Sequence, residues 1–197
     1  MDARYVQAKE MAPQVALMLL VLNERDAYTC YHSAGVVRWS ERLGCALGLD
    51  EPQLKTLRTA AALHDVGKIG TPDSVLRKAG RLSEEEMSRM RSHCESGRRI
   101  VAACGIEDAE EVAEVVLHHH EAYDGSGYPD GLAGEEIPFY SRILAIADSY
   151  DAMATRRSYR GALPHRKIMY ELNAYSSRYD PDILRTFAHL LWKQTGG

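Results

Sequence analysis

Apolar positions recur along this chain at helical spacing, and nowhere do they alternate with a period of two. Ala8, Met11, Val15, Met18, Leu19 and Leu22 fall on one stripe, which predicts an amphipathic helix over Tyr5 to Asn23. Such a helix packs on the domain, links to another, or forms the interface of a homodimer. Residues 1–24 are therefore set apart from a domain over 25–197. Glu24 to Thr29 breaks the pattern, and a second helix is predicted over Tyr31 to Leu47. A third opens at Asp50 or Glu51, capping before Pro52, and carries Leu54, Leu57 and Ala61 on one face. Gly67 suits its C-terminal end, and Gly70 to Gly80 reads as a loop. Ser83 to Glu86 is a capping box for a helix running to Cys104, where Gly105 stops it. Further helices are expected over Glu107 to Glu121, over Pro138 to Arg156, from Pro164, and from Asp180-Pro181. Asp124-Gly125-Ser126-Gly127-Tyr128-Pro129-Asp130-Gly131 cannot be regular structure. The expected fold class is all-α, a compact multi-helix bundle.

Some residues on these stripes do not belong in an ordinary core. His32 lies one turn before Val36, on the face of Leu43 and Leu47. His64 continues the stripe of Leu57 and Ala61, with Asp65 beside it. His93 shares a face with Met90, Gly97 and Ile100. His119 follows Val112 and Val115, His120 lies one turn after Val116, and Asp148 one turn after Leu144. Burying these imidazoles and carboxylates without compensation is costly. Metal ions are the economical explanation, and imidazole with carboxylate ligation suits Fe, Mn, Zn, Ni or Co. The set exceeds what one metal takes with open positions, whereas two metals sharing a bridging carboxylate would fit.

Composition narrows the surroundings more than the chemistry. A chain of 197 residues with 45% hydrophobic and 26% charged residues is an ordinary globular protein of one domain. Its net charge of -4 gives no electrostatic reason to expect a nucleic acid polymer as partner. The longest apolar run, Val15 to Leu22, is far below the ~20 residues a membrane span needs. Cys30, Cys45, Cys94 and Cys104 form no CxxC, so reduced thiols and a cytoplasmic location are expected.

The most telling stretch is Ala60 to Asp73, AAALHDVGKIGTPD. Its His64-Asp65, Gly67-Lys68-Ile69-Gly70 and Pro72-Asp73 are followed by His93 with Gly97, then His119-His120-Glu121 leading into Asp124-Gly-Ser-Gly-Tyr-Pro129. Arg142-Ile143, Ala147-Asp148, Asp151-Ala152 and Arg157-Ser158-Tyr159-Arg160 continue the series. In these motifs the chain resembles the HD-GYP family of cyclic di-GMP phosphodiesterases, a subgroup of the HD metal-dependent phosphohydrolases, over about Asp26 to Phe187.

The resemblance implies an HD-domain bundle with a dinuclear metal site in its core, Fe or Mn foremost. His32, His64, Asp65 and Asp148 would hold one ion, and His93, His119 and His120 the other, with Asp65 bridging. His118 is the odd one out and is expected at the surface. Glu121 and Asp151 would orient the histidines from behind. Lys68 would lie near the scissile phosphate, and Arg142, Arg157 and Arg160 would contact phosphate or guanine. Gly125, Gly127 and Tyr128 would bind substrate at the rim, where the family also meets diguanylate cyclase (GGDEF) partners. A metal pair ~3.5–4 Å apart gives a bridging hydroxide at neutral pH. The implied reaction is its attack on cyclic di-GMP, giving pGpG or GMP. The alternatives are another cyclic dinucleotide or nucleotide as substrate, or a non-catalytic cyclic-dinucleotide sensor or scaffold. The chain departs from the family in three places. Tyr28 stands where members with a third metal carry a carboxylate, so two metals are expected. Cys94 and Ser158 stand where proline is usual, and neither is expected to touch a ligand.

Overall fold

The computed structural model describes residues 11–155 and 163–194. Among them ten α-helices and three short 3-10 turns carry the fold, and the only extended pairing is one antiparallel bridge between Asp124 and Ala133. The all-α expectation holds. No helix of the described residues is long and apolar enough to cross a membrane.

Helix α1 (Pro13–Arg25) begins on a proline and ends where Asp26 turns extended. Val15 and Leu22 are buried, and Met18 and Leu19 pack against the same core. The first part of the predicted N-terminal helix lies outside the described residues. Helix α2 (Ala27–Ala46) follows at once, so the expected break over Glu24 to Thr29 shrinks to Asp26. The Thr29 hydroxyl donates to the Asp26 carboxylate at 2.6 Å, a polar tie at the helix start that periodicity does not reveal.

Helix α3 (Glu51–Leu63) opens on the reciprocal Asp50–Gln53 cap, at 3.0 and 2.9 Å. It stops at Leu63, and His64 and Asp65 lead into a 3-10 turn, Val66–Gly70. Gly67 is therefore not a helix terminator. A Cβ there would sit 1.9 Å from the His93 carbonyl oxygen and 2.5 Å from the Gly97 nitrogen, so glycine is what lets the turn lie directly on the next helical layer. The expected Gly70–Gly80 loop contains a short helix α4 (Asp73–Leu76), tied to α1 by an Arg25–Asp73 ion pair at 3.1 Å.

The helix expected from Ser83 to Cys104 is two, α5 (Glu84–Arg91) and α6 (His93–Ala103). At the break the Ser92 hydroxyl donates to the Arg89 carbonyl, and the His93 ring donates to that of Met90. Side-chain bonds of this kind compete with the helical ladder and bend it. Helix α7 (Ala109–His118) starts later than expected because Asp108 adopts a left-handed φ of 56°. Helices α8 (Phe139–Ala154), α9 (His165–Ala174) and α10 (Pro181–Gln194) complete the bundle.

Two packing features position the site. Trp39 of α2, Tyr150 of α8 and Phe187 of α10 meet edge to face, with centroids 4.7–5.9 Å apart. Gly35 of α2 then allows α8 to come close, since a Cβ at Gly35 would lie 2.0 Å from the Asp151 carboxylate. That carboxylate thereby reaches His32, one turn back on α2.

Candidate metal centre

The ends of α3 and α7, the start of α6, the second turn of α2 and the middle of α8 converge on one buried point. His64, Asp65, His93 and His119 are 1–2% exposed and His32 is 4%. Asp148 and His120 lie at the open side and are half-buried. Two groups of donor atoms form. His32, His64 and Asp148 make one, and His93, His119 and His120, with Cys94, make the other. Asp65 stands between them. Its Oδ2 is 3.3 Å from His64 Nε2, and its Oδ1 is 3.5 Å from His93 Nε2.

The histidine rings are aimed by their other nitrogens. Nδ1–H donates to the Ala61 carbonyl from His64 (2.8 Å), to that of Met90 from His93 (2.7 Å), and to that of Val116 from His119 (2.7 Å). Each acceptor lies three residues back, where a helix end leaves carbonyls unpaired. His32 Nδ1–H donates to Asp151 at 2.8 Å. Every one of these rings therefore turns Nε2 inward, in the arrangement by which outer partners orient metal ligands.

Charge follows the same geometry. Burial holds His93, His119 and His120 below the usual imidazole range, His120 down to about 3. Neutral rings keep the lone pair a metal needs. Burial alone would raise Asp65, but Lys68 and His64 outweigh it and hold the carboxyl well below its ordinary range. Lys68 Nζ donates to Asp65 Oδ2 at 2.6 Å. His32 is the exception. Burial opposes its protonation, yet Asp148 at 2.7 Å and Asp151 at 2.8 Å outweigh burial and push it up to about 9. A proton there supplies positive charge between carboxylates, which is the service a metal cation performs.

The residues fit divalent metal ions. His64 Nε2 and Asp65 Oδ1 are buried without a hydrogen-bond partner, and both face the cluster. An orphaned buried donor or acceptor costs ~1–3 kcal/mol or more, and coordination removes that cost.

Other expectations need correction. Glu121 orients no histidine. Its Oε1 accepts from the backbone nitrogens of Asp130 (2.8 Å) and Gly131 (3.1 Å), so it holds the glycine-rich loop closed. His118 is buried at 7%, bonding Asp130 at 3.0 Å and the Glu114 carbonyl at 3.0 Å. Arg142 is committed to Asp180 at 2.7 Å, a pair joining α8 to the start of α10, and its substrate role is withdrawn. Gly125, at φ 78°, and Gly127, pressed on the Glu121–Ala122 backbone, shape the loop instead of presenting a binding group. Tyr128 lies between His120, with centroids 4.9 Å apart, and Arg91, 4.8 Å over its ring. Cys94 stands in the donor cluster, its Sγ 3.6 Å from His93 Nε2. Arg157, Arg160 and Ser158, and the side chain of Tyr28, lie outside the described residues.

A cleft of ≈ 250 Å³ opens on this centre. His119, His120 and Asp148 line one side, and Ser149, Tyr175, Arg178 and Tyr179 the other. Sequence reasoning missed the second group. No period or motif marks these residues, and only the Asp180-Pro181 helix start of that segment is legible in the sequence.

The family model described as HD domain matches residues 7–183. The chain is 37% identical over 188 residues to a cyclic di-GMP phosphodiesterase of Thermotoga maritima, covering 94% of this chain and 51% of that protein. It is 39% identical over 158 residues to a 3′3′-cGAMP-specific phosphodiesterase of Vibrio cholerae, covering 80% of this chain and 30% of the relative. The chain thus spans about half the length, or less, of these curated relatives. The HD domain of an L. monocytogenes phosphodiesterase, solved with cyclic-di-AMP, superposes with a TM-score of 0.65 at 18% identity, over 91% of this chain and 95% of that one.

Proposed function

The chain belongs to the HD domain family, and on that premise we propose that it is a metal-dependent phosphodiesterase hydrolysing cyclic di-GMP to pGpG, GMP or both. One observation carries the reading: the Nε2 atoms of His32, His64, His93 and His119 are all turned inward around Asp65, whose Oδ1 is buried and unpartnered. His32, His64 and Asp148 would hold one divalent ion and His93, His119 and His120 the other, with Asp65 shared. Iron and manganese are the proposed occupants. Bound there, the ions would supply Lewis acidity toward phosphate oxygens and acidify a water near neutral pH.

This chain's own residues do the rest. Lys68 fixes the Asp65 carboxylate at 2.6 Å and brings a positive charge to the mouth of the centre. Asp151 fixes the His32 ring. Arg178 and the tyrosines line the cleft, where they would meet a phosphate and the face of a base. Two outer ties, Glu121 and the His118–Asp130 pair, keep the glycine-rich loop folded beside His120, and that loop is the proposed contact for a diguanylate cyclase. The curated relatives' names support a cyclic dinucleotide as substrate, and the V. cholerae relative supports 3′3′-cGAMP as the rival to cyclic di-GMP.

The test is turnover of a cyclic dinucleotide panel by protein loaded with iron or manganese, beside Asp65→Ala. Wild-type turnover is expected on cyclic di-GMP, with loss of both metals and all hydrolysis in the variant. Metal-loaded protein inert on every member of the panel would sink the proposal, and an active Asp65→Ala would refute the shared carboxylate.

A further inference from the structure

Cys94 is the side chain that the proposed centre leaves unused, and it is not placed like an ordinary core thiol. It is fully buried in the first turn of α6. Its Sγ lies within 4.8 Å of the donor nitrogens of His93, His119 and His120. Three donors surround His93 Nε2 at nearly one radius: Cys94 Sγ at 3.6 Å, His119 Nε2 at 3.5 Å, and the unpartnered Asp65 Oδ1 at 3.5 Å. A tetrahedral metal with ~2.3 Å bonds to sulfur and ~2.0–2.1 Å bonds to nitrogen separates its S and N donors by ~3.6 Å and its N donors by ~3.4 Å. The observed separations match both values. The same spacing allows an S–H···N hydrogen bond in the metal-free protein, so the thiol and the ring face each other across one point.

Resting on the dinuclear reading above, we propose that Cys94 is a sulfur donor to the ion at His93, His119 and His120, beside Asp65. On binding, the S–H bond breaks, the sulfur lone pair forms the bond to the metal, and the proton leaves to solvent. Soft sulfur favours zinc, iron and cobalt over manganese and magnesium. The two halves of the centre then differ in kind, one built from nitrogen and oxygen alone and the other carrying a thiolate.

Cobalt(II) is the probe. The wild-type protein, loaded with two equivalents, should show a sulfur-to-cobalt charge-transfer band in the near ultraviolet. X-ray absorption should show a sulfur scatterer at ~2.3 Å. Cys94→Ala and Cys94→Ser should lose both signals while still binding cobalt, and their preference for zinc over manganese should fall at one of the two positions. Two bound cobalt ions with only nitrogen and oxygen scatterers would overturn the assignment and leave the dinuclear reading intact. A protein that binds none of cobalt, iron and manganese would overturn the dinuclear reading, and this one with it. Should the variants fail to fold, the wild-type spectra decide alone.

Discussion

Gly67→Ala tests how the centre is held together. The added Cβ would lie 1.9 Å from the His93 carbonyl oxygen and 2.5 Å from the Gly97 nitrogen, both backbone atoms with no side-chain freedom. Real Cβ contacts do not fall below 3.0 Å, so the turn and the start of α6 must separate by about 1.1 Å. Overpacking costs ~1–3 kcal/mol, and two rigid partners put this site at the upper end. At ~2–4 °C per kcal/mol for a chain of this size, the melting temperature should fall by about 6–12 °C. The same opening drags Asp65 from His93, now 3.5 Å apart, and a ~1 Å misplacement in a reacting centre costs on the order of 10²-fold in rate. Gly70→Ala is the matched control. Gly70 ends the same turn, has ordinary φ, and would place its Cβ in open space. It should melt at or slightly above wild type, since alanine restricts the unfolded chain by ~0.4–1 kcal/mol. Thermal melts, metal content and cyclic di-GMP turnover are read on all three proteins. If Gly67→Ala matches Gly70→Ala in melting temperature and metal content, the turn is not braced on α6 as described.

Other perturbations separate the remaining roles. Asp151→Asn removes the carboxylate behind His32 and should weaken metal binding by ~10–100-fold in a chelator competition, with helicity unchanged; equal affinity would count against it. Arg142→Ala should cost about 3 kcal/mol by leaving Asp180 buried without its partner, and the KM for cyclic di-GMP should not move. A raised KM with unchanged melting would return Arg142 to the substrate. In metal-free protein the unfolded chain binds more protons than the folded one below pH 6.5, because His120 is held at about 3 and His93 and His119 are also lowered. Stability should therefore be lost as pH falls from 6.5 towards 3. His32, raised to about 9, contributes fully below pH 6.5 and loses its contribution as pH rises through 9. Melting temperature against pH should peak near 6.5, and a steady rise from pH 7 to 9 would contradict the His32 assignment.

What the sequence made legible was whatever obeys a period. His32, His64, His93 and His119 each continue an apolar stripe, and each is buried. Capping chemistry at Asp50 and Ser83 was equally readable, because its partners lie within one turn. Contacts between distant segments were not. His118 looks like a surface residue until Asp130 folds back onto it from the loop. Arg142 looks free until Asp180 arrives from 38 residues away. Gly67 reads as a helix terminator because the constraint on it belongs to α6, and nothing in its own neighbourhood announces that. Cys94 is expected to touch no ligand, since a residue beside a ligand on a helix ordinarily points elsewhere, yet its Sγ lies 3.6 Å from His93 Nε2.

The two halves of the centre differ in how far the chain must travel to build them. His93 and His119 are separated by 26 residues, whereas His32 meets Asp148 and Asp151 across 116 and 119. During synthesis at ~5–20 residues per second, Asp148 emerges roughly 6–23 s after His32. A nascent chain that has reached residue 130 already contains His64, Asp65, His93, His119 and His120 but lacks the carboxylates that complete the His32 side. The local half can assemble first, and the distant half then acts as a clasp, fastening α8 to α2. Closure of the chain around the site is thus a late event, with His32 waiting longest for its partners.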